Sequence, residues 1–462
     1  MDTTEVLGFK EDLRTTCVES AIGPERIGTQ LKVAYIMSRF PKLTETFVLY
    51  EMLALEKQGI QVVIYPLLKA RKTATHPEGG SLWRKLLDLV SKPQGDLMMH
   101  PEAVPLVERA NYQPFLSWPI LQTQFRFLLS KPKEYVGTLW TVVRRNWGSW
   151  NYLLGVLAIF PKAVYFAQLM RSEDVSHVHA HFANHPAAAA YIIGRLVGIP
   201  FSFTAHGADL QVDQHMLYEK VAEAAFVVTI SNFNKEFILE KCGEQFREKV
   251  HTIYCGVDTQ VFQPSQREDS QEKSVGPLNI LCIGTLYEVK GHTYLIEACR
   301  LLMDRGVDFA CNLVGDGPDR PLLMKQVEES GLSGRVIFHG QLERPEIVGM
   351  LRRADVFTLP SVPTDSGRRE GIPVVLMEAM ASGLPVVSSD ISGIPELVES
   401  GSSGLLVPPR NSEALADSLE QLSKDPDLRK KLGKAGRAKV NQEFDLFTNA
   451  SILAAHFAGE DI

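Results

Sequence analysis

The sequence is poor in cysteine, has no basic surplus and no apolar run of membrane length, and lacks both common glycine-rich phosphate motifs. Each shortage excludes something. The six cysteines (Cys17, Cys242, Cys255, Cys282, Cys299 and Cys311) form no C-x-x-C pair or metal spacing. Several sit inside apolar patterns, as in Leu281-Cys282-Ile283, so they read as reduced, buried thiols of a cytosolic protein. No uncharged apolar stretch approaches the ~18–20 residues of a spanning helix; the longest, 152–160 and 186–194, are cut off by Pro161-Lys162 and Arg195. The first residues, MDTTEVLGFKEDLRTTC, show no basic segment followed by an apolar core, so no signal peptide is expected. The expectation is a cytoplasmic protein, at most peripheral on the inner face of a membrane. Lys+Arg 48 against Asp+Glu 55 leaves a formal charge of −7, which carries no nucleic-acid footprint. A dinucleotide oxidoreductase needs G-x-G-x-x-G after a strand, and the nearest string, Gly315-Asp316-Gly317-Pro318, breaks at proline. G-x-x-x-x-G-K-[ST] is missing too, which disfavours a P-loop kinase or NTPase.

What is present is a strand–helix rhythm, written twice. The 462 residues, 45% hydrophobic and 22% charged, predict two or three soluble domains. After a polar leader (1–30), residues 31–37 read as a buried strand, roughly 47–58 as a helix and 61–68 as a second strand, the signal of a parallel sheet. The rhythm returns over 177–231. A polar, aromatic-free linker is predicted at 264–277, and a second α/β series starts at LNILCIG (278–284). In helix 292–305, Leu295, Ile296, Cys299 and Leu302 share one face, as on a helix covering a doubly wound sheet. The expected fold class is therefore α/β, with two doubly wound Rossmann-like domains (31–263 and 278–444) facing each other across a ligand cleft. Residues 445–462 are expected to form a helix that can return to the first domain.

Residues 70–170 lack the strand rhythm and read as a helical insertion. They hold all five tryptophans: Trp83, Trp118, Trp140, Trp147 and Trp150. Two readings stand side by side. The tryptophans fill the small core of the insertion, or, with Lys131, Lys133, Arg144 and Arg145, they rest on an anionic membrane surface or line a groove for a lipid tail.

The chemistry concentrates in EGIPVVLMEAMASGLPVVSSD (370–390), where Glu370 and Glu378 stand eight positions apart. Pro373 suits a first helical residue, and Gly371 lets the chain turn into that helix. The free amides of the first turn suit an anion, whereas a carboxylate in the entry loop suits a neutral polyol. Together they predict a ligand with phosphate at one end and sugar at the other. Lys290, in GTLYEVKGH (284–292), stands before another helix start and could share that phosphate.

With these residues in hand, 278 to about 409 resembles the donor domain of the retaining GT-B-fold glycosyltransferases of family four, the E-x7-E type. The resemblance is carried by KGH, LVGDGPDRPLL, RVIFHGQL, ADVFTLPS, SGIPELV and GLLVPP besides the stretch above. The first domain is similar to the acceptor side of the same family in SRFPKLTETF, HAHFA, FTAHGADL, ISNFNKEFI and GVDTQVFQP. The combination is most like the bacterial exopolysaccharide (colanic-acid) branch and covers 31 to about 445. It implies that Glu370 contacts donor-sugar hydroxyls, that the backbone of Gly371, Ile372, Val374 and Val375 holds sugar and diphosphate, and that Glu378 accepts from the nucleotide ribose. It further implies that Lys290 neutralises the departing diphosphate and that His206 lines the reacting face. Where the family usually has Gly-Arg, this chain has Gly284-Thr285, which removes a bidentate phosphate partner; Arg39, Arg368 and Arg369 are candidates to replace it. Thr285 would then lie at the nucleotide.

His177, His179 and His181 alternate along a strand, a pattern open to a metal, but a buried parallel strand leaves little room for an open coordination sphere. Asp425-Pro-Asp427 mimics a metal-binding D-x-D in what reads as a surface turn. No metal and no cofactor are expected. The reading is a retaining hexosyltransferase taking a nucleotide-diphosphate sugar donor and a saccharide or lipid-linked saccharide acceptor. The alternatives are a non-catalytic nucleotide-sugar-binding partner and a GT-B-fold sugar-nucleotide epimerase.

Overall fold

The computed structural model describes residues 31–460, except 43–44, 70–100, 116, 212–213, 266–275 and 366. The polar leader, Cys17, Trp83 and most of the expected linker lie outside the described residues.

Two six-stranded sheets form, each with every neighbouring pair parallel. The first contains β1 (Lys32–Phe40), β2 (Gln61–Lys69), β3 (His177–His181), β4 (Phe201–Ala205), β5 (Phe226–Thr229) and β6 (Val250–Thr252), in the order β2-β1-β3-β4-β5-β6. The second contains β7 (Leu278–Ile283), β8 (Phe309–Val314), β9 (Val336–Gly340), β10 (Val356–Leu359), β11 (Val386–Ser389) and β12 (Leu405–Val407), in the order β12-β11-β10-β7-β8-β9. Both sheets reverse direction beside their first strand, and a doubly wound sheet opens its ligand crevice at that point.

Side-chain alternation divides the first sheet into two cores. Ala34 and Ile36 of β1 face one core, while Val33, Tyr35 and Met37 face the other. Most of the helical insertion packs on the former side, while its Ala103 and Leu106 join the latter. The helix Thr46–Lys57 and the C-terminal helix Leu446–Ala458 pack on the latter, through Leu446, Ala450, Leu453 and Phe457. The chain's end thus returns to the first sheet. The crossing is pinned where Val257 N donates to Phe444 O and Leu446 N donates to Val257 O. Val257 and Phe262, which the sequence reading puts in the first domain, pack into the core of the second. In the helix His292–Asp304, Leu295, Ile296, Cys299 and Leu302 are all fully buried.

Three expectations need correction. Ser38, Arg39 and Phe40, read as loop, extend β1. Pro161 does not stop the longest apolar helix among the described residues, which runs through it as Trp150–Ser172. That helix is long and apolar enough to cross a membrane, yet 56% of its most apolar window is buried inside the protein. Its Lys162 Nζ donates to Leu67 O, so the charge that seemed to end the helix is satisfied within the fold. Finally, of the two readings of the tryptophans, the core reading fails for the four described ones. Trp118, Trp140, Trp147 and Trp150 are all at least 64% exposed, and Phe127, Val142, Tyr152 and Val156 make that core instead.

Candidate active site

Lys290 follows β7 and Glu370 follows β10, neighbouring strands that flank the reversal point of the second sheet. Their side chains meet there: Lys290 Nζ lies 2.8 Å from Glu370 Oε2, with 16% and 17% of the two side chains exposed. Lys290 ends a short 3-10 turn, Glu288–Lys290, and Gly291 caps the following helix in the left-handed region (φ 70°). The helix after Glu370 is Val374–Ala381. Pro373 is its N-cap in extended geometry (φ −65°, ψ 122°), one place before the first helical residue expected for it. A proline there still leaves the amides of Val374 and Val375 unclaimed at the helix start. Ile372 is buried in the core, so only its backbone can serve a ligand. Thr285, half-buried, sits in the loop after β7.

Glu378 lies within that helix and is half-buried. Burial pushes its carboxyl up to about 7, and the Arg344 guanidinium pulls the other way. Arg344, in the first turn of the helix Arg344–Leu351, was missed by sequence reasoning. Its guanidinium stacks 4.1 Å from the ring centroid of Tyr50, which comes from the first sheet's side. Arg368 and Arg369 are exposed, so Arg344 is the arginine whose charge acts on Glu378. Nothing in QLERPEI marks it, because its contacts are all distant in sequence.

The opposite wall comes from the loops after β3 and β4. Asp209 accepts from the amides of His206 (3.0 Å) and Gly207 (2.8 Å) through Oδ1 and from Ala183 N (2.6 Å) through Oδ2, tying the two loops together. Burial raises the Asp209 pKa, while those amides lower it. The His206 loop touches the Glu370 loop directly: a Cβ on Gly371 would lie 2.9 Å from His206 O, so only glycine lets the two backbones approach this closely. Glu396 completes the contact, accepting from the amides of Asn232 (2.7 Å) and Phe233 (2.8 Å) at the start of the helix Asn232–Cys242. A carboxylate at a helix N-terminus is well placed electrostatically.

The three strand histidines point to one face, as their alternation requires. Glu51, His179 and His181 bring ligand-type atoms within 4.8 Å of one another. The ring nitrogens are engaged, however. Both nitrogens of His179 meet hydroxyls, of Ser202 (2.8 Å) and Thr204 (3.0 Å), and His181 meets Glu51 and His206. Each of these ring nitrogens thus has a hydrogen-bond partner within the fold. Asp425 is equally occupied, its carboxylate accepting from Leu428 N as the N-cap of the helix Pro426–Glu443.

Two family models match: "Glycosyl transferases group 1" over residues 264–439 and "Glycosyltransferase Family 4" over 129–261. The chain is 31% identical to the protein named "Putative colanic acid biosynthesis glycosyltransferase WcaL" of Salmonella typhimurium, over 90% of this chain and 96% of that one. It is 37% identical to the amylovoran biosynthesis glycosyltransferase AmsK of Erwinia amylovora, over 52% of this chain and 59% of that one. Among solved structures, Anabaena HepE in complex with UDP and glucose superposes with a TM-score of 0.63 at 18% identity, covering 93% of this chain and all of that one. The lipopolysaccharide outer core galactosyltransferase WaaB superposes with 0.61 at 17% over the same shares. Two facing Rossmann-like sheets, a cleft at their reversal points and these matches lead to one assignment: the chain belongs to the GT-B-fold glycosyltransferases of the group 1 and family 4 type.

Proposed function

We propose that this chain transfers a hexose from a nucleotide-diphosphate sugar to a lipid-linked saccharide acceptor, with retention of configuration, in exopolysaccharide assembly. The observation that carries the reading is the Lys290–Glu370 pair at the amide-rich start of helix Val374–Ala381, facing His206 across the cleft. A diphosphate entering there would draw Lys290 to itself and release Glu370 to accept from sugar hydroxyls. As the bond from the anomeric carbon to phosphate oxygen breaks, Lys290 and the amides of Val374 and Val375 stabilise the growing charge. The acceptor oxygen bonds to that carbon on the same face, and its proton passes to the departing phosphate. The names of WcaL and AmsK support an exopolysaccharide role, and the UDP and glucose held by HepE support the donor class.

The test is a thermal-shift screen of nucleotide sugars, since a ligand at about 100 times its Kd stabilises by about 2.7 kcal/mol. The stabilising donor is then incubated with saccharide acceptors, and the anomeric coupling of the product is read by NMR. Retained configuration supports the proposal. An intact donor with every acceptor would leave a binding protein, and an epimerised donor would indicate an epimerase. Transfer should survive EDTA, because Lys290 and the helix amides stand where other enzymes use a divalent ion.

Glu378 gives a pH signature. Its folded pKa, about 7, lies above the ordinary carboxyl value of 4.5, so the stability it contributes is complete below about 4.5 and is lost as pH rises through 7. Ribose hydroxyls donate to the ionised form. Donor affinity should therefore rise with pH between about 6 and 8, and Glu378→Gln should flatten the profile. Calorimetric titration of an intact nucleotide sugar checks it; equal slopes in both proteins would remove Glu378 from the donor site.

The insertion supplies the membrane contact. Ten of the sixteen exposed large hydrophobic residues among those described fall between Trp118 and Leu154, with Trp147 and Trp150 ring to ring at 5.8 Å. Lys133 and Arg144 are exposed beside them, whereas Lys131 Nζ donates to Leu196 O and Arg145 pairs with Glu219. Exposed tryptophan beside basic residues matches the headgroup level of an anionic bilayer. Anionic liposomes should co-sediment the protein and blue-shift its tryptophan emission, less so in high salt and less for Trp147→Ser and Arg144→Glu. Failure to bind vesicles of any charge would assign the patch elsewhere.

A further inference from the structure

Behind His206 the first sheet holds a line of polar groups that the transfer step does not touch. His206 Nε2 lies 3.0 Å from His181 Nδ1, with the two rings stacked. His181 Nε2 lies 3.0 Å from Glu51 Oε1, and Tyr35 OH donates to that same oxygen at 2.7 Å. His181 and Tyr35 are fully buried, while the Glu51 side chain is 21% exposed, so its charge is only partly desolvated. The sequence shows none of this, because 130 residues separate Glu51 from His181.

The protons along this line have a direction. An ionised carboxylate only accepts, so His181 presents Nε2–H to Glu51. With a single N–H, on Nε2, His181 offers Nδ1 as an acceptor, and the hydrogen facing it then comes from His206 Nε2. Nδ1 of His206 is then bare, and among the described residues it makes no hydrogen bond. Burial holds His206 well below the ordinary imidazole range, so its ring is neutral. The remaining neighbour of His181, the edge-on His179 ring, has both nitrogens on Ser202 and Thr204 and offers no competing acceptor.

We propose that Glu51 and His181 are positioning residues that lock His206 in its Nε2–H tautomer, so that Nδ1 accepts a hydrogen bond from a sugar hydroxyl in the cleft. The use of that acceptor rests on the proposed transfer reaction; the tautomer does not. An imidazolium at His181 would turn the His206 ring bonding around, with Nδ1–H directed outward, so the two arrangements differ at a single observable atom.

The experiment is ring ¹⁵N NMR of the full chain labelled at histidine, with His206 assigned by loss of its signals in His206→Gln. The wild type should show a protonated Nε2 and an unprotonated Nδ1. Glu51→Ala should give a tautomer mixture and lower kcat about tenfold, the scale of one net hydrogen bond, with donor KM little changed. Glu51→Gln keeps an oxygen that can accept from Tyr35 and His181 and should restore both the tautomer and most of kcat. A residue needed only for folding would change the melting temperature and leave the ring signals alone. Protonation of His206 at Nδ1 in the wild type overturns the proposal, as does an unaltered tautomer in folded Glu51→Ala; if that variant does not fold, the wild-type spectrum decides. If the wild type transfers no sugar at all, the proposed function fails while the tautomer is still read.

Discussion

Glu370→Gln and Lys290→Ala should each lower turnover by about 10²–10³-fold, the scale for removing one preorganised electrostatic partner from a transition state. The two act at opposite ends of the same bond. Lys290 Nζ lies 2.8 Å from the Glu370 carboxylate, which stands just ahead of the helix start. Without Lys290 the departing diphosphate keeps only amide partners. The side-chain amide introduced by Glu370→Gln can still accept a hydrogen bond but no longer carries the charge that orients donor hydroxyls. The fold should tolerate both changes, because Lys290, in its short 3-10 turn, and Glu370, in its loop, stand at the cleft rather than in a hydrophobic core. Steady-state kinetics beside thermal melting separate the effects. Near-normal turnover in both variants, with unchanged melting, would take the pair out of the mechanism.

Gly291→Val should be the most damaging single change near the site. The residue adopts φ 70°, and a Cβ would lie 1.8 Å from Pro360 O, a backbone atom that cannot rotate away. Left-handed geometry costs a β-carbon about 1–2 kcal/mol, and overpacking adds about 1–3. For a domain of this size the sum lowers the melting temperature by roughly 5–15 °C. Turnover falls with it, since Lys290 precedes the displaced residue and Pro360 lies on the path from β10 to Glu370. Melting and activity of Gly291→Ala and Gly291→Val form the graded test. Equal melting temperatures in all three proteins would show that the loop yields freely.

The acids of the candidate site could be singled out because their signals are local. A glycine turn, a proline and an apolar helix within twelve residues place Glu370 before the helix start and Glu378 inside it. Lys290 was legible for the same reason, ahead of KGH and an amphipathic helix. The partner each would meet was less so. Lys290 and Glu370 were each expected to face a substrate, and in the structure they face each other. Arg344 and Glu396 escaped notice because each acts on residues far along the chain: Glu396 caps a helix that starts 164 positions earlier. The tryptophans show the limit differently. Composition placed them together, but burial decides whether tryptophan is core or surface, and burial depends on which face the sheet covers.

By itself the sequence determined the class of fold, because periodicity of about 2 and 3.6 residues is set by backbone geometry and can be read in short windows. It also determined which residue types stand at the strand exits, where an α/β sheet places its ligands. Only the tertiary structure decided how the two sheets meet: that Gly371 rests on His206, that the last helix returns to the first sheet, and that the chain passes into the second core already at Val257. It alone joined Glu51, His181 and His206 into one hydrogen-bonded line. The physical reason is the range of the forces. Helix starts and strand faces are written by neighbours a few residues apart, whereas a proton's position on a buried ring depends on whichever acceptor the folded chain brings within about 3 Å.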